Sequence, residues 1–165
     1  MLTLVPVTAE TENLPKIEAL YRRAFPQNER RPFRGLFGDP QGVAEMMALQ
    51  DGLRFCGFVC LLNGRELSHI IYFAVEEGLR GQGYGAQTLA ALHAGRPGRR
   101  IIVDIERERA DAPNNDQRRR RRQFYLRQGY QPTDIRYRWQ GEDYEILSHG
   151  GPVSEAEFDA FWEEM

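Results

Sequence analysis

The 165 residues suffice for one domain with a real core, and 41% hydrophobic with 28% charged residues is an ordinary globular composition. A net charge of −2 excludes a global pull toward nucleic acid, and no apolar run approaches the length that spans a bilayer. The first residues lack the basic segment of a secretory signal, and Cys56 and Cys60 read as buried free thiols on one face of a strand, so the expected location is the cytoplasm.

Residues 2–7 read as a short strand. Asn13 is placed to cap a helix with Pro15 in its first turn, which presents Leu14, Ile17, Tyr21 and Phe25 on one face until Pro26 ends it. Residues 26–40 form an Arg- and Pro-rich connection, followed by an expected short helix over 43–49. Residues 55–62 and 66–75 pair as a hairpin about Asn63-Gly64, a strong two-residue turn signal. A glycine-rich loop then leads into a helix over 86–94, with Ala86, Leu89, Ala90 and His93 on one face and Gly95 and Pro97 ending it.

Residues 100–106 read as a strand, 110–116 as a polar loop and 117–128 as a helix ended by Gly129. A last hairpin, 130–139 with 143–147, turns about Gly141. Ser154 and Glu157 then make a capping box for a helix burying Phe158, Phe161 and Trp162. No linker or repeat interrupts the chain, so one domain over 1–165 is expected, of the α/β (α+β) class. Its sheet should be mixed and largely antiparallel, with helices on both faces and one parallel pair where a helix crosses over, residues 66–75 and 100–106.

The loop Arg80-Gly81-Gln82-Gly83-Tyr84-Gly85-Ala86 carries the chemistry. Alternate glycines let a ligand approach the backbone, and free N–H groups at the start of the next helix attract an anion, so the loop is built for phosphate. Its string meets the dinucleotide fingerprint G-x-G-x-x-G/A, and Asp104 lies about where the ribose-binding acid belongs. Five residues, however, separate the preceding strand from Gly81, and the loop lies mid-chain, so an NAD-type domain ranks third among the readings.

The same loop meets R-x-x-G-x-G through Arg80, Gly83 and Gly85. With Phe73-Ala74-Val75 before it and Phe124-Tyr125-Leu126-Arg127-Gln128-Gly129-Tyr130 after it, the chain resembles the GNAT superfamily of N-acetyltransferases over nearly its whole length. Phe25-Pro26, Glu29-Arg30-Arg31-Pro32-Phe33 and Tyr144-Glu145-Ile146-Leu147-Ser148 are similar to a bacterial subgroup of unassigned substrate.

The resemblance implies a splayed parallel pair with the pantetheine arm of acetyl-CoA in the gap. It implies that Phe73, Ala74 and Val75 hold the pantetheine and acyl carbonyl, that Arg80 to Ala86 hold the pyrophosphate, and that Tyr125 protonates the departing thiolate. Glu106, at the end of its strand, is the first choice for the base that deprotonates the amine, with Glu76, Asp104 and Glu108 as rivals. Many members of the family carry an asparagine seven residues before the tyrosine; Arg118 stands there instead, with Asn114 and Asn115 as candidate substitutes in the preceding loop.

The expected activity is thus acyl transfer from acetyl-CoA to a primary amine by direct attack. The amine is a small molecule or peptide, and Glu29, Arg30 and Arg31 could line its pocket. The alternative is a non-catalytic module binding coenzyme A or nucleic acid. Arg118 to Arg122 are the residues that nucleic acid would need, but five consecutive helical residues sweep round the axis among many acids, which favours pairing or solvation first, contact with coenzyme A phosphates or an anionic substrate second, and nucleic acid last. No metal is expected, since His69, His93 and His149 show no ligand spacing with one another or with the cysteines. Either a monomer or a homodimer fits.

Overall fold

The computed structural model describes all 165 residues. Its strands are β1 (Leu2–Pro6), β2 (Ala44–Asp51), β3 (Arg54–Asn63), β4 (Leu67–Val75), β5 (Arg100–Glu106), β6 (Gln131–Trp139) and β7 (Glu142–His149). Its helices are α1 (Leu14–Ala24), α2 (Tyr84–Gly95), α3 (Asn115–Arg127) and α4 (Glu155–Glu164). The strand order is β1-β2-β3-β4-β5-β7-β6, a seven-stranded sheet that is antiparallel except for one pair, β4 and β5, which α2 connects. The chain divides into two compact units, Met1–Asn63 with Ile70–Pro97, and Gly64–His69 with Gly98–Met165.

In the first unit β1, β2 and β3 form an antiparallel meander. Residues 44–49 of the expected 43–49 helix therefore lie in strand β2 and not in the helix their Met, Ala and Leu content suggests. Met46, Met47, Ala48 and Leu49 are all buried, so pairing on both edges and burial on both faces override helix propensity. Tyr21 of α1 packs edge-on against Phe58 of β3 and Tyr72 of β4, with ring centroids 6.1 and 4.9 Å away. Asn13 precedes α1 as expected, but its side chain makes no capping hydrogen bond.

A bulge in β3 leaves Cys56 opposite no residue of β2, since Leu49 faces Gly57 and Gln50 faces Phe55. The bulge flips the alternation. Cys60 joins the cluster of Phe58, Tyr72 and Ile17, whereas Cys56 lies outside it and beside Tyr84 of α2. The two free thiols are buried as expected, but on opposite faces and not on one. Helices α1 and α2 accordingly cover opposite faces of this part of the sheet. The buried face of α2 is Tyr84, Thr88, Leu89 and Leu92, while Ala90 of the expected face is exposed.

Gly57 also fixes how closely β3 and β4 approach. A Cβ built there would sit 2.1 Å from the Ala74 carbonyl oxygen, with φ at +156°. Backbone cannot move aside as a side chain does. Gly57→Ala should cost about 3 kcal/mol, the upper end of overpacking. Urea unfolding should show it as a lower midpoint at unchanged slope. An unchanged midpoint would mean that β3 and β4 separate freely at Ala74.

The second unit holds the first residues of β4 and the antiparallel set β5, β7 and β6. The turn before β4 takes three residues and not the expected two, with the Gly64 N–H donating to the Leu67 carbonyl (2.9 Å). Gln140 and Gly141, both at positive φ, close the β6–β7 hairpin. Tyr144 lies opposite Tyr137 in that hairpin, and Phe158 of α4 stacks on Tyr137, while the adjacent Glu145 pairs with Arg122 of α3. Helices α3 and α4 thus take opposite faces. The expected capping box opens α4, with both the Ser154 and the Glu157 side-chain bonds made.

Candidate active site

In the first unit β4 delivers Phe73, Ala74 and Val75, of which Ala74 is buried, and a short turn, Glu77–Leu79, leads to the glycine loop. Gly81 and Gly83 adopt left-handed conformations, at φ +78° and +84°, and both are exposed. Gly83 is the N-cap of α2 and brings no side chain to fill the cap. The first helical hydrogen bond runs from Gln87 N–H to the Gly83 carbonyl (3.1 Å). The N–H groups of Tyr84, Gly85 and Ala86 therefore have no partner within the helix and point from its positive end. Gln82 and Arg80 are exposed beside them, and no carboxylate pairs with Arg80. Below, the buried Tyr84 donates its hydroxyl to Asp51 Oδ2 (2.7 Å), which anchors the helix start.

Two tyrosines fasten the segment that carries Glu29, Arg30 and Arg31. Tyr72 of β4 donates its hydroxyl to the Glu29 carbonyl (2.7 Å) and accepts from the Arg31 N–H (3.0 Å). Tyr21 of α1 donates to the Arg31 carbonyl (2.7 Å). This segment is thereby held to the strand that continues into Phe73, Ala74 and Val75. Sequence reasoning missed Tyr21 and Tyr72, which read only as core aromatics.

In the second unit Tyr125 of α3 is buried, with its ring edge-on to Phe124 and Tyr130. Burial pushes its phenol up to about 12; Arg121 opposes that rise and Asp104 adds to it. The hydroxyl makes no hydrogen bond within the protein, which is unusual for a buried tyrosine. Glu106 closes β5, half-buried, with Oε2 2.7 Å from the Arg118 guanidinium and no protein donor on Oε1.

The rivals of Glu106 are committed elsewhere. Asp104 accepts from Tyr137 (2.7 Å) and lies 3.1 Å from His69 Nε2, so both its oxygens are engaged. Burial pushes that carboxyl up, yet the bond and charge of His69 and the Tyr137 hydroxyl outweigh it and leave Asp104 below its usual range. Glu76 pairs with Arg23 (3.1 Å) and Glu108 with Arg119 (3.2 Å).

The arginine run is divided among these acids. Arg118 is buried and meets Glu142, Glu106 and Asn114; Arg119 meets Glu108; Arg122 meets Glu145. Only Arg120 and Arg121 hold their charges out without a carboxylate, so the run makes no basic face. Sequence reasoning missed Glu142. Its bond to Arg118 holds that carboxyl down to about 2. Glu106, Asn114, Gln117, Arg118 and Arg121 together line a small polar cleft.

A family model for the acetyltransferase (GNAT) domain matches residues 43–132, more than half of the chain. The chain belongs to the GNAT family of N-acetyltransferases. Its fold is similar to that of a GNAT-family protein from Bacteroides thetaiotaomicron at a TM-score of 0.80 and 24% identity, over 98% of this chain and 94% of that one. An acetyltransferase from Elizabethkingia anophelis with acetyl-CoA bound matches at 0.61 and 17% identity, over 90% and 97%. The ribosomal-protein-S18-alanine N-acetyltransferase of Escherichia coli matches at 0.62 and 20%, over 93% and 95%. No curated protein matches the sequence. No helix is long and apolar enough to cross a membrane.

Proposed function

We propose that this protein transfers an acetyl group from acetyl-CoA to a primary amine of a small molecule or peptide, as one catalytic domain over residues 1–165 in the reducing cytoplasm. The observation that carries the reading is the row of unpartnered amides at Tyr84, Gly85 and Ala86, opened by two left-handed glycines beside an unpaired Arg80. Such a row suits two adjacent phosphates, and Arg80 adds a charge-assisted contact. The committed oxygens of Asp104 favour this reading over a dinucleotide site, which needs that carboxylate for a ribose.

Each residue then has a defined task. Glu106 takes a proton from the acceptor ammonium through Oε1, directly or by way of water. The freed amine attacks the thioester carbonyl carbon, and a backbone N–H near Val75 faces the oxyanion that forms. As the oxyanion re-forms the carbonyl and the carbon–sulfur bond breaks, Tyr125 gives its proton to the sulfur, and the attacking nitrogen sheds its surplus proton, which restores the tyrosine directly or through water and leaves the amide and free coenzyme A. Phe73, Ala74 and Val75 line the acyl and pantetheine path, and Glu29, Arg30 and Arg31 border the acceptor.

Coenzyme A at about a hundred times its dissociation constant stabilises the folded state by about 2.7 kcal/mol, which raises the melting temperature of a domain this size by roughly 5–10 °C. NAD at the same concentration should give a far smaller rise. A rise with NAD that equals or exceeds the one with coenzyme A overturns the acetyltransferase reading.

A further inference from the structure

We propose that Arg118 is a positioning residue that fixes Glu106 at the cleft and makes no contact with the acetyl donor. The inference rests on the reading of Glu106 as the base. A guanidinium has five N–H groups. In Arg118 Nε donates to Asn114 Oδ1 (2.9 Å), and Nη1 donates to the Arg107 carbonyl (3.0 Å) and Glu142 Oε2 (3.1 Å). Nη2 donates to Glu142 Oε1 (2.8 Å) and lies 2.7 Å from Glu106 Oε2. Four hydrogen bonds occupy four of the five N–H groups, the nitrogen that carries the fifth forms the ion pair with Glu106, and the side chain is only 6% exposed. The buried guanidinium is thus spent on two carboxylates, an amide oxygen and a backbone carbonyl, and not on a phosphate or a pantetheine carbonyl.

The same geometry explains what the arginine accomplishes. Its partners come from the turn before α3, the segment after β5 and the start of β7, so the guanidinium is held from three directions. Arg109, itself paired with Asp111 (2.9 Å), brings a second cation to Glu142 Oε2 (3.4 Å). Glu106, a flexible side chain at the end of a strand, is then held by one oxygen beside the cleft it lines, and the other oxygen has no protein donor. Placement of this kind matters because a base displaced by about 1 Å can lose on the order of a hundredfold in rate. Lysine has three N–H donors on a single nitrogen and cannot hold five acceptors at once.

The test compares R118K, E106Q and the double variant. R118K keeps the charge, so the carboxylates retain a cation and the fold should survive; E142Q, which loosens the node from its other side, is the second probe. Coenzyme A affinity is read by calorimetry. Turnover is read as thiol release from acetyl-CoA with spermidine, glycinamide and a lysine-containing peptide. R118K and E142Q should bind coenzyme A within twofold of the parent and turn over about tenfold or more slowly. R118K/E106Q should be no slower than E106Q, because an anchor without its base has nothing left to place. Weakened coenzyme A binding, unchanged turnover in R118K, or effects that multiply in the double variant would each overturn the inference. Full turnover in E106Q, or no thiol release with any amine, strikes instead at the reading beneath it, and the inference falls with that reading.

Discussion

Gly83→Asp should abolish coenzyme A binding while leaving the protein folded. The position has room, since a Cβ there would find only Gln87 Nε2, 3.9 Å away. The backbone is left-handed at φ +84°, a conformation that aspartate tolerates better than most residues. Aspartate is moreover among the best N-cap residues, and its carboxylate can accept from the free amides in the first turn of α2. The strain and the capping gain are each about 1 kcal/mol and of opposite sign, so stability should change little.

Binding suffers twice from the same change. The new carboxylate takes donors that the pyrophosphate needs, and it adds a negative charge about 4 Å from that site. Like charges at such a distance near a surface repel by about 4 kcal/mol, roughly a thousandfold in affinity. Gly83→Ala carries the strain without the charge and should weaken binding only a few-fold. Calorimetry with coenzyme A checks both variants. Equal losses in the two would assign the effect to backbone strain, and retained binding in Gly83→Asp would place the phosphates elsewhere.

The shape of the glycine loop, two left-handed glycines opening a helix, was legible in the sequence because its signals are local. Alternate glycines, a strand before them and a helix after them all fall within about twenty residues, and no distant contact is needed to read them. The Ser154 and Glu157 box and the strand over 100–106 are legible for the same reason. What failed depends on distant partners. Residues 44–49 are good helix formers and become part of β2 only because β1 and β3 pair with both edges. The opposite facing of Cys56 and Cys60 needs a bulge that period-two counting cannot see. Arg118 could be given acidic neighbours from sequence, but its strongest partner, Glu142, lies 24 residues away at the start of β7. Nor does any local pattern announce that Tyr21 and Tyr72 grip the Glu29 and Arg31 backbone.

Tyr125→Phe should lower turnover about a hundredfold with little change in acetyl-CoA affinity or stability. Stability should hold because the hydroxyl has no partner in the protein, so its removal strands no donor or acceptor, and the ring contacts with Phe124 and Tyr130 remain. Turnover should fall because a group that acts as the carbon–sulfur bond breaks contributes mainly in the transition state. General acid catalysis is worth about a hundredfold to ten-thousandfold, and two facts place this case at the low end. A phenol pushed up to about 12 by burial is a reluctant donor. A thiol, with an ordinary pKa near 8.5, already leaves readily as thiolate. Transfer becomes favourable only as the same burial destabilises the thiolate charge, so much of the benefit is a hydrogen bond to developing negative charge. Steady-state kinetics with acetyl-CoA varied at saturating amine separates the outcomes. Equal falls in kcat and kcat/KM match the proton-donor role. A rise in KM alone makes Tyr125 a contact for the donor, and unchanged kinetics leave it a core aromatic.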